Sequence, residues 1–328
     1  MPGPVLLLTH SQDYYTIDLV IAALHARDVS CLRIDTDGFP QDLHLSVEMH
    51  QGGVRCHLYT PTQEIDLNTV PAIWARRLWP GKMPANLDPR FAQHCYQESR
   101  TAFFDTLALL DSIHWVNPLS AGLAAESKLR QLRLAREVGL CIPYTVVGNH
   151  PARIRDFFTC LGGNMITKLL GTLSQTMDAS GDFVYTSQVT AQAMAHIDEL
   201  QYAPQIFQAC ITKKRELRVI LVGQYTFVGA IDASQSAHGC IDWRRLTTRD
   251  DVQWTVASLP PAVEQATRRL MQRLGLSYGA VDFLVDTDDR HIFLEINPAG
   301  EWGWLQRDLG LPIAEALAGT LLSPPLSP

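Results

Sequence analysis

Asp282, Glu295 and Asn297 are three oxygen donors set into a stretch, residues 281–300, that is otherwise rich in Val, Phe, Ile and Leu. The stretch reads as two strands around a tight turn, because Asp and Arg cluster between two apolar runs. A turn centred on residues 287–290 sets Asp282 directly opposite Glu295, and the period of two along a strand turns Asn297 to the same face as Glu295. Like charges facing each other across a sheet repel, and a carboxylate withdrawn from water is costly unless it is paired or bound to metal. A cation is therefore expected there. Hard oxygen donors, few in number and without His or Cys beside them, suit Mg²⁺ held jointly with substrate phosphates. Acids at solvated strand ends would be spelled the same way, so the hairpin alone leaves both readings open.

Other residues share that double character. Lys168 interrupts the apolar strand "MITKLL", where a cation needs either a partner or an open face. Lys128 stands at a helix start, where a solvated lysine is ordinary. Gln208 and Glu216 lie eight residues apart in "FQACITKKRELRV", and Arg218 alternates with Leu217 and Val219 as an exposed strand position would. The basic clusters at residues 213–215 and in "DWRR", which holds Arg244 and Arg245, read equally as solvated faces or as anion contacts.

The elements that must position these residues follow from periodicity. "VLLLTH", then Ile17, Val20, Ile21 and Leu24 at helical spacing, then "VSCLRI" read as strand, helix, strand. The loop after the first strand, "THSQDYYT", lacks the glycines of a dinucleotide fingerprint, which argues against NAD. Residues 43–65 alternate as an antiparallel excursion. Asp88 and Pro89 open a helix running towards Asp111, and "WVNPLSAG" reads as a linker. A second unit opens with the helix of "ESKLRQLRLAREVGLCIPYT", where Leu129, Leu132 and Val138 are expected to share a face and Gly139 with Pro143 ends the helix. "RIRDFFTCLGG" follows as helix and "NMITKLL" as strand. From Ile206 a third unit supplies "IFQACI", a hairpin of "ELRVILVG" and "YTFVGAID", a helix from Pro261 to Leu274, the acidic hairpin and a closing helix, "PIAEALAGTLL".

At 328 residues the chain exceeds the usual size of one core, so two or three lobes are expected. A composition 46% hydrophobic and 19% charged, without repeats or low-complexity tracts, is that of a globular protein. The net charge of −7 argues against general nucleic-acid binding, which needs clustered cations. Seven cysteines without C-x-x-C spacing point to core thiols in a reducing compartment, not to a disulfide frame or zinc site. No apolar segment approaches the length of a membrane span, so a cytoplasmic protein with no membrane partner is expected.

In order and spacing, Lys128, Lys168, the stretch from Phe207 to Val219, "DWRR" and the acidic hairpin resemble the ATP-grasp ligases. "LLLTHSQDYYTIDLV", "RIDTDGFP", "AIWARRLW", "KLRQLRLAREVGLCIP", "FVGAIDAS" and "FLEINPAGEWGWLQRDL" narrow the resemblance to the microviridin-type peptide ligases, the graspetide group, over nearly the whole chain. "THSQDYYTIDLV" and "GEWGWLQRDL" look closer to the amide-forming, lactam-forming type than to the ester-forming type. The implied fold is α/β with α+β lobes: an N-terminal Rossmann-like pre-ATP-grasp domain (1–120), a central ATP-grasp subdomain with the lid and leader site (121–205, the leader between Thr172 and Leu200), and a C-terminal subdomain (206–328).

The resemblance also implies roles. Lys128 and Lys168 clamp ATP phosphates, Gln208 with the backbone of Cys210 and Ile211 meets adenine, and Glu216 holds the ribose. The hinge commonly begins with Glu, or with Gln followed by Glu, whereas here Ala209 follows Gln208. Asp282, Glu295 and Asn297 bind Mg²⁺, while Arg218 with Arg244 or Arg245 steadies the phosphoryl group and developing oxyanion. The expected partner is a ribosomal precursor peptide with a leader and an acidic core, drawn in by local cations such as Arg76, Arg77 and residues 213–215. Trp74 is expected in the core, and a homodimer is implied by the resemblance alone. Alternatives that share the ATP site are an ester-forming ligase and a tail-extending ligase that adds amino acids to a protein or small carboxylate; a regulatory nucleotide-binding module without turnover is a third.

Overall fold

The structure, a computed structural model, describes residues 3–78, 81–170, 186–232 and 253–323. It is an α/β protein with four sheets among those residues.

The first strand, β1 (Val5–Thr9), is buried along its whole length, and α1 (Thr16–His25) packs Ile17, Val20 and Leu24 away from water. Strand β2 (Cys31–Asp35) pairs parallel to β1. An antiparallel sheet of β3 (His44–His50), β4 (Gly53–Tyr59) and β5 (Glu64–Asp66) follows, as the alternation of residues 43–65 predicts. Strand β6 (Ala72–Ala75) then returns to the other side of β1, also parallel. The chain thus departs from β1 in both directions, and the crevice at the carboxyl ends of β1 and β6 is a topological switch point, where open α/β sheets place ligands. Helix α2 (Pro89–Ala108) is capped by Asp88, whose carboxylate accepts from the Arg90 N–H at 2.9 Å.

The expected linker "WVNPLSAG" is structured instead. Trp115 and Val116 belong to β7 (His114–Val116), the fourth parallel strand, and the residues after Pro118 form α3 (Leu119–Ala125). A strand of three residues is too short to show a period, and Asn-Pro reads as a break. Helix α4 (Lys128–Glu137) is capped by Ser127. Its buried face is Gln131, Leu132, Leu134 and Ala135, whereas Leu129 is 53% exposed. The face expected through Leu129 is therefore rotated.

The central sheet is built from β8 (Thr145–Gly148), β9 (Met165–Lys168), β10 (Ser187–Gln188) and β11 (Gln205–Ala209), with α5 (Pro151–Cys160) and α6 (Ala191–Ala195) between them. Strand β11 is hydrogen bonded to β8 and β9 on its two sides, so "IFQACI" closes this sheet before the chain crosses to the next.

The last sheet orders as β14-β13-β12-β15-β16: β12 (Lys213–Val222) and β13 (Tyr225–Ile231) form a hairpin, β14 (Trp254–Ala257) lies outside it, and β15 (Tyr278–Asp286) and β16 (His291–Asn297) form the acidic hairpin. Helix α7 (Pro261–Leu274) ends at Gly275, whose φ of 73° is the left-handed cap that glycine adopts without steric cost. Helices α8 (Gly303–Leu309) and α9 (Ile313–Leu322) complete the described chain.

The two faces of this sheet differ. Leu217, Val219, Leu221, Val281, Phe283, Phe293 and Ile296 face a core shared with α4 and α7. On the opposite face Ile220, Val222, Tyr278 and Ala280 join β1, α1, Trp74 and α9 in one apolar cluster, so the first and last lobes share a core. Burying each Leu, Ile or Val is worth about 1.5–3 kcal/mol, and that junction holds the two lobes in fixed relation. Trp74, 1% exposed, is core as expected. The six described cysteines are free, and among the described residues no helix is long and apolar enough to cross a membrane.

Candidate functional site

Side chains alternate along β12 and β15, so Arg218 and Asp282 fall on the face turned away from α4 and α7. The strands pair Arg218 with Asp282 on one side and Asp282 with Glu295 on the other, the register expected for the two acids. The route to that register is different. Near the turn Val285 faces His291 and Phe283 faces Phe293, one residue out of step with a symmetric turn, and a bulge at Leu294 restores the step. A symmetric turn would have put Phe293 on the polar face. The bulge gives it to the core instead, where its ring meets Phe283 edge-on at 5.9 Å, and still leaves Glu295 and Asn297 on the polar face.

The acids are paired with cations from three elements. Arg218 donates to both oxygens of Asp282, at 2.9 and 3.1 Å. Lys128, the first residue of α4, donates to Glu295 at 2.6 Å, and the Asn297 amide reaches the other Glu295 oxygen at 3.3 Å. Burial alone would raise the Glu295 pKa, but Lys128, Lys168 from β9 and Asn297 outweigh it and hold the carboxyl well below the usual range. Lys128, Lys168, Arg218, Asp282, Glu295 and Asn297 thus converge on one sheet face.

No group of three or more His, Cys, Asp or Glu side chains gathers to hold a metal among the described residues. Two carboxylates and one amide fit a hard divalent ion that takes its remaining oxygens from phosphate and water, and do not fit a closed protein cage.

Gln208 is buried, and its side-chain amide donates to the Thr145 hydroxyl at 3.0 Å. It braces β11 against β8. The Cys210 N–H donates to the Asn164 carbonyl at 2.9 Å, which leaves Ile211 as the expected hinge residue without a hydrogen bond among the described residues. Glu216 sits one alternation from Arg218 on the same face and accepts from Lys213, itself nearly buried. Lys214 pairs with Asp289 at 2.9 Å, so the cluster at 213–215 is largely neutralised, and of its three cations only the exposed Arg215 has no carboxylate partner among the described residues. Arg244 and Arg245 lie outside the described residues, as do residues 172–185 of the expected leader site.

Two residues that sequence reasoning passed over position the site. Gln131 on α4 accepts from the Ile296 N–H at 3.0 Å and donates to the Ile296 carbonyl at 2.8 Å, fastening the edge strand between Glu295 and Asn297. Residues 131, 134, 135 and 138 have the spacing of a buried helical stripe, so a polar residue within that stripe was the available signal. Asn117 donates to the Tyr278 and Pro298 carbonyls and accepts from the Tyr278 N–H, tying β7 to the start of β15.

Arg76 corrects a further expectation. It is 1% exposed, with its guanidinium between Asp13 at 3.3 Å and Glu301, so it is a buried tie between lobes and not a surface lure for acidic peptides.

Residues 4–122 match the family model described as the MvdD pre-ATP grasp domain. Among solved structures, the macrocyclase MdnB from Microcystis aeruginosa MRC is 38% identical, with 98% of this chain and 99% of that chain covered and a TM-score of 0.84. MdnC from the same organism, bound with precursor peptide MdnA, is 32% identical over 98% and 99%, with a TM-score of 0.86. A Chryseobacterium gregarium RiPP-associated ATP-grasp ligase, in complex with ADP and a leader and core peptide, is 28% identical over 98% and 96%, with a TM-score of 0.88. No curated protein matches the sequence.

Proposed function

The chain belongs to the microviridin-type ATP-grasp macrocyclases, and from that premise we propose that it closes side-chain rings in a ribosomally made precursor peptide by forming ω-amides between Lys and Asp or Glu. The observation that carries the proposal is the convergence of Asp282, Glu295 and Asn297 with Lys128, Lys168 and Arg218 on one sheet face.

The chemistry such a site serves is activation of a carboxylate. A core Asp or Glu oxygen attacks the γ-phosphorus of ATP, the bond to the bridging oxygen breaks, and ADP leaves an acyl phosphate. A Lys amine then attacks the acyl carbon, the C–O bond to phosphate breaks, and the amine gives up a proton as phosphate departs. Positioning and charge stabilisation carry such a transfer. Lys128 and Lys168 hold phosphate oxygens, and Arg218, kept along the sheet face by Asp282, meets the transferring phosphoryl group. Asp282, Glu295 and Asn297 would hold Mg²⁺, which supplies charge neutralisation to the phosphates when bound. Ile211 offers backbone groups to adenine and Glu216 a carboxylate to the ribose.

The test is mass spectrometry of the precursor peptide encoded beside the gene after incubation with protein, ATP and Mg²⁺. Loss of one water per bond, with fragments locating a Lys-to-acid link, is the expected result. Links from Thr or Ser would mean the ester-forming reaction, added residues would mean a tail-extending ligase, and an unchanged mass without ADP release would overturn the proposal.

A further inference from the structure

Along the polar face of the last sheet the groups fall in a fixed order. Glu216 comes first, then Arg218 with Asp282 and Glu295, then Ala280 opposite Asn297, then Tyr278. At about 3.3 Å per residue, Tyr278 lies roughly 13 Å beyond Asp282, away from the hinge. A nucleotide with its ribose at Glu216 and its phosphates at Asp282 would aim its reacting end towards Tyr278.

That end of the face meets the switch point of the first sheet. Tyr278 is buried, its hydroxyl donates to the Gly300 carbonyl at 2.5 Å, and the charges of Arg76, Arg218, Glu301 and Arg77 all reach it. The phosphate site and the switch point are neighbours through this one hydroxyl.

The groups at the switch point are unequal. Glu301 is saturated: one oxygen accepts from the Thr16 hydroxyl and from the N–H groups of Trp302 at 2.9 Å and Gly303 at 2.8 Å, and the other accepts from Arg76. Arg76 is enclosed between two carboxylates: it donates to Glu301 on one side and forms an ion pair with Asp13 at 3.3 Å on the other, although its Nε makes no hydrogen bond. Asp13 in turn accepts from the Thr9 hydroxyl at 2.5 Å. Arg77 differs. Its side chain is 35% exposed, and its one side-chain hydrogen bond among the described residues is a 3.4 Å approach to the Glu301 oxygen that Arg76 already occupies. The rest of its donors have no partner among the described residues. Burial and the adjacent Arg76 both act against its charge and lower its pKa, so an anion placed there would relieve both.

We infer that Arg77 is a carboxylate-binding residue, set at the reacting end of the nucleotide site to take an acidic side chain of the core peptide. A guanidinium presents two parallel N–H groups to a carboxylate, which a lysine cannot do. Arg76 and Glu301 are its positioning residues: they fix the strand end from which Arg77 projects. The inference rests on the peptide-ligase reading, since it names the substrate group that such a ligase would bring to this spot.

Two measurements separate this inference from that reading. The first is binding without turnover. Protein labelled with ¹⁵N-arginine is titrated with a short Glu- and Asp-rich peptide, acetylated and amidated at its ends, and with the same peptide carrying Gln and Asn. The Arg77 Nε–H resonance, assigned by its loss in Arg77→Gln and again in Arg77→Lys, should move saturably with the acidic peptide alone. A resonance that stays still, or follows both peptides equally, overturns the inference whether or not the protein closes rings. The second is kinetic, with the precursor encoded beside the gene. Arg77→Gln should raise the KM for precursor about tenfold or more, the scale of one charge-assisted contact, and leave the KM for ATP unchanged. Arg77→Lys should recover part of the loss. Ring closure by the wild type with no change in either variant removes Arg77 and keeps the ligase.

Discussion

Gln131 holds Ile296 by both halves of its backbone amide, accepting from the N–H at 3.0 Å and donating to the carbonyl at 2.8 Å. Strand β16 is the last in its sheet, so without such partners its outer edge would bury unpaired polar groups. A second contact, from the Phe293 N–H to the Cys141 carbonyl at 2.8 Å, covers the same edge on the far side of the bulge. Between them the chain keeps Glu295 aimed without a further strand.

Replacing Gln131 with Leu keeps most of the volume and strands two groups of Ile296, which is fully buried, together with the Ala125 carbonyl that the Gln131 amide also meets at 2.6 Å. Each unsatisfied buried group costs about 1–3 kcal/mol, so Gln131→Leu should lower stability by about 3 kcal/mol or more in urea unfolding, at unchanged m. A loss below about 0.5 kcal/mol would mean that water replaces the amide, and that the helix does not hold the strand.

Arg76 joins lobes that are 225 residues apart in sequence at its contact with Glu301. Removing one partner of a buried ion set leaves the others uncompensated, at about 3–5 kcal/mol. Arg76→Met should therefore destabilise by about that much and shift thermal unfolding well below that of Arg77→Gln, whose side chain is partly exposed. Equal shifts in the two variants would contradict the division of labour between the two arginines.

Acid should loosen the same junction. Burial alone would raise the Glu301 pKa, but Arg76, the Thr16 hydroxyl, the Gly303 N–H and Arg77 hold it down at about 2. A carboxyl whose folded pKa lies below its unfolded value, about 4.3, contributes stability that is fully present above that value and is lost as the pH falls towards the folded one. The stability gap between wild type and Glu301→Gln should be widest near neutrality and narrow between about pH 4.3 and pH 2. A gap that does not change across that window would show that Glu301 is not held ionised. Glu295 is depressed as well, which is why the difference from Glu301→Gln, and not the wild-type curve alone, is the quantity to follow.

The pairing of Asp282 with Glu295 was legible because Asp and Arg mark the turn and apolar runs mark the strands. The bulge was not, since Ile292, Phe293 and Leu294 are three apolar residues in a row and carry no alternation to reveal a slip. The helix over Pro261–Leu274 was legible from proline at its start and Gly275 after its end. Arg76 was misread because an arginine closing a short strand looks the same whether solvated or tied to a carboxylate in another lobe. Its partners, Asp13 and Glu301, are set by tertiary packing that no local period encodes. Gln208 was expected at a strand-edge hinge, but it lies on a strand paired on both sides, and which way its amide points depends on Thr145, more than sixty residues earlier in the chain.

Lys128 and Lys168 give the sharpest ranking test of the proposed phosphate site. Both charges hold Glu295 ionised, but Lys128 does so by charge and by a direct 2.6 Å hydrogen bond, whereas Lys168 acts on it by charge from a strand of the central sheet. In the protein without nucleotide, Lys128→Ala should therefore raise the Glu295 pKa more than Lys168→Ala, read from the pH dependence of the ¹³C shift of its carboxyl. ATP binding should rank differently. If both ammonium groups hold phosphates, each loss should weaken ATP by about 1.5–3 kcal/mol, the scale of a hydrogen bond to a charged group, and the two should fall close together. An Lys168→Ala protein that binds ATP with unchanged affinity would leave that lysine as a counter-ion to Glu295 alone. An Lys128→Ala protein with an unmoved Glu295 would break the link between the start of α4 and the acidic hairpin on which the site reading depends.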